Sequence, residues 1–399
     1  MARDPVKKDP TRKNVVLLAL CQALGMSCSA LVITVIALVG NDLAPERSLI
    51  TLPLALQFLA MMASTAPASF FMRRFGRRAG FSLGALLGCA AGLLGMQAIL
   101  IGSFYLLCLS SMLFGAFTCH VQYYRFAAAD TASDAFRSRA ISLVLAGGLL
   151  AAVLGPELAK WSRDLFAPVL FAGAYLCIAG LAFLSLILVQ FIKIPRPGTA
   201  ERSGNGRPLG VILRQPSFIV AVCCAMVGYG AMNLVMTATP LAMVAHSHPF
   251  DTAALVIQWH IVGMYAPSFF TGHLIHRFGV VPVLGLGGLL IAACVCTNLV
   301  GEGVFNFWAA LILLGLGWNF MFVGGSALLT ESYRPAEKAK VQAVNEFMVF
   351  ATVSCTALLS GALFNLLGWR AVNLAVLAPT MVAFGAVLWL SRQRAAVVA

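Results

Sequence analysis

Long apolar runs, repeated at short intervals, constrain this chain more than anything else in it. Each run holds about 20 or more mostly apolar residues, enough to cross a bilayer as a helix. Twelve can be read, at 14–40, 48–72, 79–100, 103–126, 139–160, 165–192, 217–245, 252–275, 280–300, 304–329, 341–365 and 369–390. Inside hydrocarbon a backbone must satisfy its own N–H and C=O groups, so runs of this kind are expected as helices. Composition agrees: 60% of the residues are hydrophobic and 10% charged, with a mean hydropathy of +0.91. A soluble domain carries about 25% charged residues. A chain of 399 residues with so few charges cannot build a polar shell. A cytosolic enzyme, a disordered chain and a secreted disulfide scaffold are excluded. The 11 Cys all fall in the apolar runs with no Cys-x-x-Cys among them, so neither a disulfide framework nor a soluble-type zinc site is expected.

The basic residues set the orientation. With both termini cytoplasmic, Arg47, Lys160, Arg163 and Arg370 are the basic residues left outside, of 27 Lys and Arg in all. That is the skew of the positive-inside rule. The net charge of +13 then belongs to loops facing anionic headgroups, and no nucleic-acid partner is expected. Met1 to Lys13 is too polar to be a signal peptide.

The longest polar loop, 193–216, contains Pro195, Pro197, Gly198, Ser203, Gly204 and Gly206 and reads as a flexible cytoplasmic linker. It separates a first six-span unit, 1–192, from a second, 217–399. The units echo each other: Arg73-Arg74-Phe75-Gly76 after span 2 returns as His276-Arg277-Phe278-Gly279 after span 8. Asp130 with Arg137 and Arg139 after span 4 is answered by Glu331 with Lys338 and Lys340 after span 10. Such a repeat means two homologous bundles about an axis normal to the membrane. Over its whole length the chain resembles the major facilitator superfamily. In that family's loop between spans 2 and 3, Arg74, Gly76, Arg77 and Arg78 match, while Ser69 stands for a Gly and Arg73 for an Asp. In the second half Gly272, Arg277 and Gly279 match, and His276 stands for the Asp. The resemblance implies an all-α membrane protein of twelve helices in two six-helix bundles, not an enzyme, and probing of its cargo must come from the midplane.

Charge is scarce there. Of the 14 acidic residues only Glu346, in span 11, is expected to be buried, and no Lys or Arg sits mid-span. Sulfur and imidazole take the place of charge. Span 7 carries Met232 and Met236, and span 8 carries His260 and Met264. Residues four apart share a helix face, so each helix can offer two donor atoms to one point. Three thioethers and an imidazole are a soft, neutral set, and soft sulfur selects Cu(I). These four residues also match in full the Met-x-x-x-Met and His-x-x-x-Met signature of the CcoA-like (CalT) copper importers, which the chain resembles. The resemblance implies copper as transported cargo with no resident cofactor, uptake across a bacterial cytoplasmic membrane, supply to a cbb3-type oxidase, and copper chaperones as partners of a monomeric carrier. Further possible copper contacts are Met26 and Cys28 in span 1, Cys119 and His120 in span 4, and Cys223 and Cys224 in span 7. Trp318, Asn319, Asn233 and Tyr229 are candidate cavity-lining residues. Three other readings fit the same chain: an exporter of amphipathic drugs, a carrier of a neutral organic solute, and a membrane sensor or assembly factor that transports nothing.

Overall fold

The computed structural model describes residues 10–46, 49–50, 52–195 and 206–398. The part of the expected linker at 196–205, and the basic residues Arg3, Lys7, Lys8, Arg47, Arg196 and Arg202, lie outside the described residues. Every described element is helical: α1 Pro10–Leu43, α2 Leu52–Phe75, α3 Arg77–Leu100, α4 Phe104–Gln122, α5 Tyr124–Thr131, α6 Asp134–Ala146, α7 Gly148–Ser162 and α8 Ala172–Val189. There follow α9 Leu209–Leu213, α10 Pro216–Ala245, α11 Phe250–Tyr265, α12 Ser268–Phe278, α13 Val280–Val300, α14 Val304–Leu329 and α15 Lys338–Val398. Large apolar side chains stand on the outer surface, with Leu366 81% and Leu367 67% exposed. That surface suits lipid and not water.

Ten helical stretches among the described residues are long and apolar enough to cross a membrane. Two details separate this from twelve. The runs at 341–365 and 369–390 are continuous in α15, whose 61 residues are far too long for one crossing; the backbone turns at Gly368, with φ 79°. The run at 252–275 is broken between α11 and α12, because Pro267 has no N–H to continue the ladder. Asn319 of α14 bridges that break. Its Nδ2 donates to the Met264 carbonyl at 2.6 Å and to Ser268 Oγ at 2.5 Å, and its Oδ1 accepts from Thr271 Oγ1 at 2.6 Å.

The repeat read in the sequence has a backbone counterpart. Gly76 (φ 92°, ψ 164°) and Gly279 (φ 85°, ψ 163°) make the same turn into α3 and α13. Only Gly takes this positive-φ conformation without strain. Helices α1–α8 pack mainly on one another, as do α10–α15; between the groups, α2 meets α15 and α6 meets α12. Both meetings occur at the end bearing the basic loops. Ser69 Oγ donates to the Ala339 carbonyl at 2.8 Å, and Ser138 Oγ to the Gly272 carbonyl at 3.2 Å. A Cβ on Gly272 would stand 2.6 Å from Arg139 Cα, so only glycine allows this approach.

The described flanks of the linker are docked, not free. Asn14 and Lys193 exchange hydrogen bonds at 2.9 Å. Arg207 Nη2 meets Glu337 Oε2 at 2.6 Å, and that carboxylate raises the Arg207 pKa above its ordinary value.

Gly315 sets how closely α11 lies on α14. A Cβ there would meet the His260 carbonyl at 2.7 Å and the Met264 N at 2.8 Å, both rigid backbone. Gly315→Val is expected to cost about 1–3 kcal/mol and lower the Tm in detergent. Gly361→Ala, with nothing within 4 Å, is expected to leave the Tm unchanged or slightly raised. Thermal unfolding of both purified variants checks this.

Candidate functional site

A buried column of charge and aromatic rings occupies the seam between the two helix groups. At its foot, Arg125 of α5 and Glu346 of α15 pair at 2.6 Å, with side chains 1% and 0% exposed. Every arm of the guanidinium is used. Nη2 donates to Glu346 Oε1, Nη1 to the Gln122 carbonyl at 2.6 Å and to Gln122 Oε1 at 3.1 Å, and Nε to Ser326 Oγ at 3.1 Å. The guanidinium lies over the rings of Phe126, at 4.5 Å, and Phe322, at 4.4 Å. Glu346 is less well served: Oε1 also accepts from Asn345 Nδ2 at 2.7 Å, but buried Oε2 has no hydrogen-bond partner. Arg125 stands at the end of the apolar run 103–126, where the charge pattern predicts a cytoplasm-facing residue; the structure instead buries it, because α5 carries the helical segment on to Thr131.

From this foot the column rises along α14. Phe322 stacks on Trp318, with ring centres 5.0 Å apart and planes 20° apart. Tyr265 of α11 meets Trp318 edge-on at 5.6 Å. Tyr229 of α10 stands edge-on to Trp318 at 5.5 Å and to Phe322 at 5.2 Å. Two buried polar atoms near these helices lack partners, Trp318 Nε1 and His260 Nε2. His260 Nδ1 lies 2.7 Å from the Leu311 carbonyl, so Nδ1 carries the proton and Nε2 presents a lone pair. A separate cavity of about 210 Å³ lies at the basic-loop end. Its wall includes Arg77, which pairs with Asp130 at 2.9 Å and donates to Gln342 Oε1 at 2.8 Å, and Lys338, which pairs with Asp130 at 3.3 Å.

The sequence candidates separate into two sets. Met232 and Met264 are buried at 3% and 5%, His260 is at 0%, and Met236 is half-buried. They lie on α10 and α11, whose inner faces carry Tyr229 and Tyr265 of the column. Asn233 is turned to α15, donating to the Val353 carbonyl at 3.2 Å. In the first group, Cys28 points its thiol at the Ile178 carbonyl of α8, 3.8 Å away. His120 bonds the Ala116 carbonyl of its own helix at 2.8 Å, and a Cβ on Gly84 of α3 would stand 2.5 Å from its Cβ. Both of these contacts lie within the first helix group, and the buried Nε2 of His120 has no hydrogen-bond partner. Cys119 is buried within electrostatic reach of Glu346. Met26 and Cys223 are half-buried, and Cys224 is fully buried. No group of three or more His, Cys, Asp or Glu placed to hold a metal ion occurs among the described residues. Sequence reasoning missed Arg125 and Tyr265; the available signal was an arginine one turn inside a helix end, with an acid on a facing span.

The Major Facilitator Superfamily model matches residues 16–267 and 221–398. The chain belongs to that superfamily. A Riboflavin transporter RfnT of Brucella anthropi is 45% identical over 364 residues, covering 91% of this chain and 92% of that one. An uncharacterized MFS-type transporter YddS of Bacillus subtilis is 28% identical, over 96% and 92%. Among solved structures, the MFS transporter FucP in its outward conformation superposes with a TM-score of 0.77 at 15% identity, covering 96% of this chain and 99% of that one. This last likeness concerns the fold alone.

These findings overturn the copper reading. A relative sharing nearly half its residues along nine-tenths of the chain is a riboflavin transporter. Copper as cargo and partner falls with it, along with the chaperones and the oxidase supply. The physical reason is that thioethers and a neutral imidazole suit Cu(I) and equally suit the wall of an apolar cavity, where Met fills irregular space against flat rings.

The ion pair yields a stability prediction. Arg125→Met leaves a buried carboxylate without its cation and is expected to cost about 3–5 kcal/mol, while Arg125→Met with Glu346→Leu should recover most of that loss. Unfolding of the single and double variants in detergent measures the difference.

Proposed function

We propose that this protein carries riboflavin, or a flavin of the same shape, across a bacterial cytoplasmic membrane by alternating access. The observation that carries the reading is the 45% identity to a riboflavin transporter over 91% of this chain. The seam's chemistry supports it. Riboflavin is uncharged near neutral pH and consists of a flat three-ring system on a hydroxylated chain. A flat ring gains from stacked and edge-on aromatic contacts, worth about 0.5–1.5 kcal/mol each beyond buried area. Trp318, Tyr229 and Tyr265 supply such contacts in one cluster. The bare lone pair of His260 Nε2 and the bare Trp318 N–H can read the polar edge of the ring. Met232, Met236 and Met264, on the helices that carry Tyr229 and Tyr265, would serve as adaptable walls.

In this reading the chain has twelve crossings, counting α11–α12 as one and dividing α15 at Gly368. The halves 1–192 and 217–399 rock about the seam, joined by the linker at 193–216. Both termini lie in the cytoplasm, which the basic loops support. The closed end seen here is then the cytoplasmic end, and the solute enters from the opposite side. Among the earlier alternatives, a carrier of a neutral organic solute is the one that agrees with the relative.

Cells expressing the protein are expected to accumulate radiolabelled riboflavin. Lumiflavin, which keeps the ring and lacks the sugar-alcohol chain, should compete; ribitol should not. Trp318→Ala should reduce uptake at least tenfold, roughly the loss of 1.4 kcal/mol, while Trp318→Phe keeps a measurable part of it. Uptake equal to that of empty cells removes the reading. Copper content is expected to be the same in wild-type cells and in cells carrying Met236→Ala or His260→Ala, as atomic absorption would show.

A further inference from the structure

Glu346 sits in a position the carriage of a neutral solute does not require. It is fully buried, and it joins the two helix groups through Arg125. One carboxylate oxygen is saturated by Arg125 and Asn345, while Oε2 is buried and has no partner. A bare buried carboxylate oxygen is costly, and a proton on that oxygen removes the charge that makes it so. The surroundings can hold either form. Arg125 of α5 favours the anion, and its other donors, to Gln122 and Ser326, keep the guanidinium satisfied when Glu346 is neutral.

The neighbours leave Glu346 as the group that titrates. From α4 come the Cys119 thiol and, at its end, the Tyr123 phenol; from α10 comes the Tyr229 phenol; all three are neutral partners within electrostatic reach. On its own helix Asn345 is uncharged. The next charges are Arg77, held through Gln342 one turn away, and Asp130 with Lys338 beyond it. The pair also touches the aromatic column, since Phe322 lies over Arg125 and stacks on Trp318.

We propose that Oε2 of Glu346 is the binding site of a co-transported proton. In the closed-end state described here, a proton from the side opposite the basic loops adds to Oε2, converting the carboxylate to the acid. When the basic-loop end opens, water reaches Glu346, the proton leaves to that side, and the Arg125–Glu346 pair re-forms on closing. No bond other than O–H forms or breaks. The proposal goes beyond the riboflavin reading and is tested apart from it.

Infrared spectra of the purified protein, taken from about pH 5 to pH 9, look directly for a protonated carboxyl. A carboxylic-acid carbonyl band that titrates in wild type, vanishes in Glu346→Gln and moves in frequency in Glu346→Asp supports the site. A wild-type spectrum without that band, or the same band in Glu346→Gln, overturns it. The wild-type spectrum decides alone if the Gln variant does not fold. In vesicles, one pH unit drives about tenfold accumulation per coupled proton. Wild type should approach that ratio for riboflavin. Glu346→Gln should give a ratio near one while still exchanging labelled for unlabelled riboflavin. Accumulation by Glu346→Gln equal to wild type contradicts the proposal. Wild type that titrates but exchanges no riboflavin removes the flavin reading and leaves the proton site standing.

Discussion

The fully buried ion pair of Arg125 with Glu346 ties the two helix groups together, with Asp130–Lys338 at 3.3 Å as a second pair across the same seam. Taking two charges out of water costs several kcal/mol per ion, and the cost is recovered only when geometry and further hydrogen bonds are good. Here the arginine meets that condition on both sides of the seam, with Gln122 and Phe126 from its own group and Ser326, Phe322 and Glu346 from the other. Separating the groups at this end would strand both charges. The seam is therefore held shut where the basic loops lie, and the Ser69–Ala339 and Ser138–Gly272 hydrogen bonds cross it at the same end.

The aromatic column is anchored by the same pair. Phe322 faces the guanidinium on one side and Trp318 on the other, so the rings of α14 are held at a fixed height relative to the charges. Gly315 lets α11 approach α14, and Asn319 ties the broken α11–α12 segment to the same helix. Tyr265 reaches Trp318 because of both. In the proposed cycle the rigid aromatic wall next to the half-satisfied carboxylate lets one structural element feel both a neutral flat solute and a charge.

Much of the architecture was legible in the sequence, because membrane helices must satisfy a simple rule of length and polarity. The turns at Gly76 and Gly279 were visible as an echo in Arg-Phe-Gly, and the structure gives them matching backbone angles. Two features escaped. Arg125 follows an apolar run and resembles a loop charge until the facing Glu346 is known. The linker flanks dock by contacts between residues far apart in sequence, Lys193 through its backbone at Asn14 and Arg207 through its guanidinium at Glu337, whereas the turn at Gly368 falls in the gap already read between 341–365 and 369–390. The cargo was misread for a chemical reason. Met-x-x-x-Met and His-x-x-x-Met specify which atoms share a helix face and say nothing of whether those atoms bind an ion or touch a ring. The proposed flavin reading rests instead on Trp318 and Phe322, four apart on a Gly-rich helix.

A structure of the protein determined with riboflavin bound tests the central claim most directly. The account predicts flavin-ring density in the seam, in van der Waals contact with Trp318 and flanked by Tyr229 and Tyr265. Density for the ring in the cavity beside Arg77 and Lys338, or on the lipid-facing surface, would contradict it.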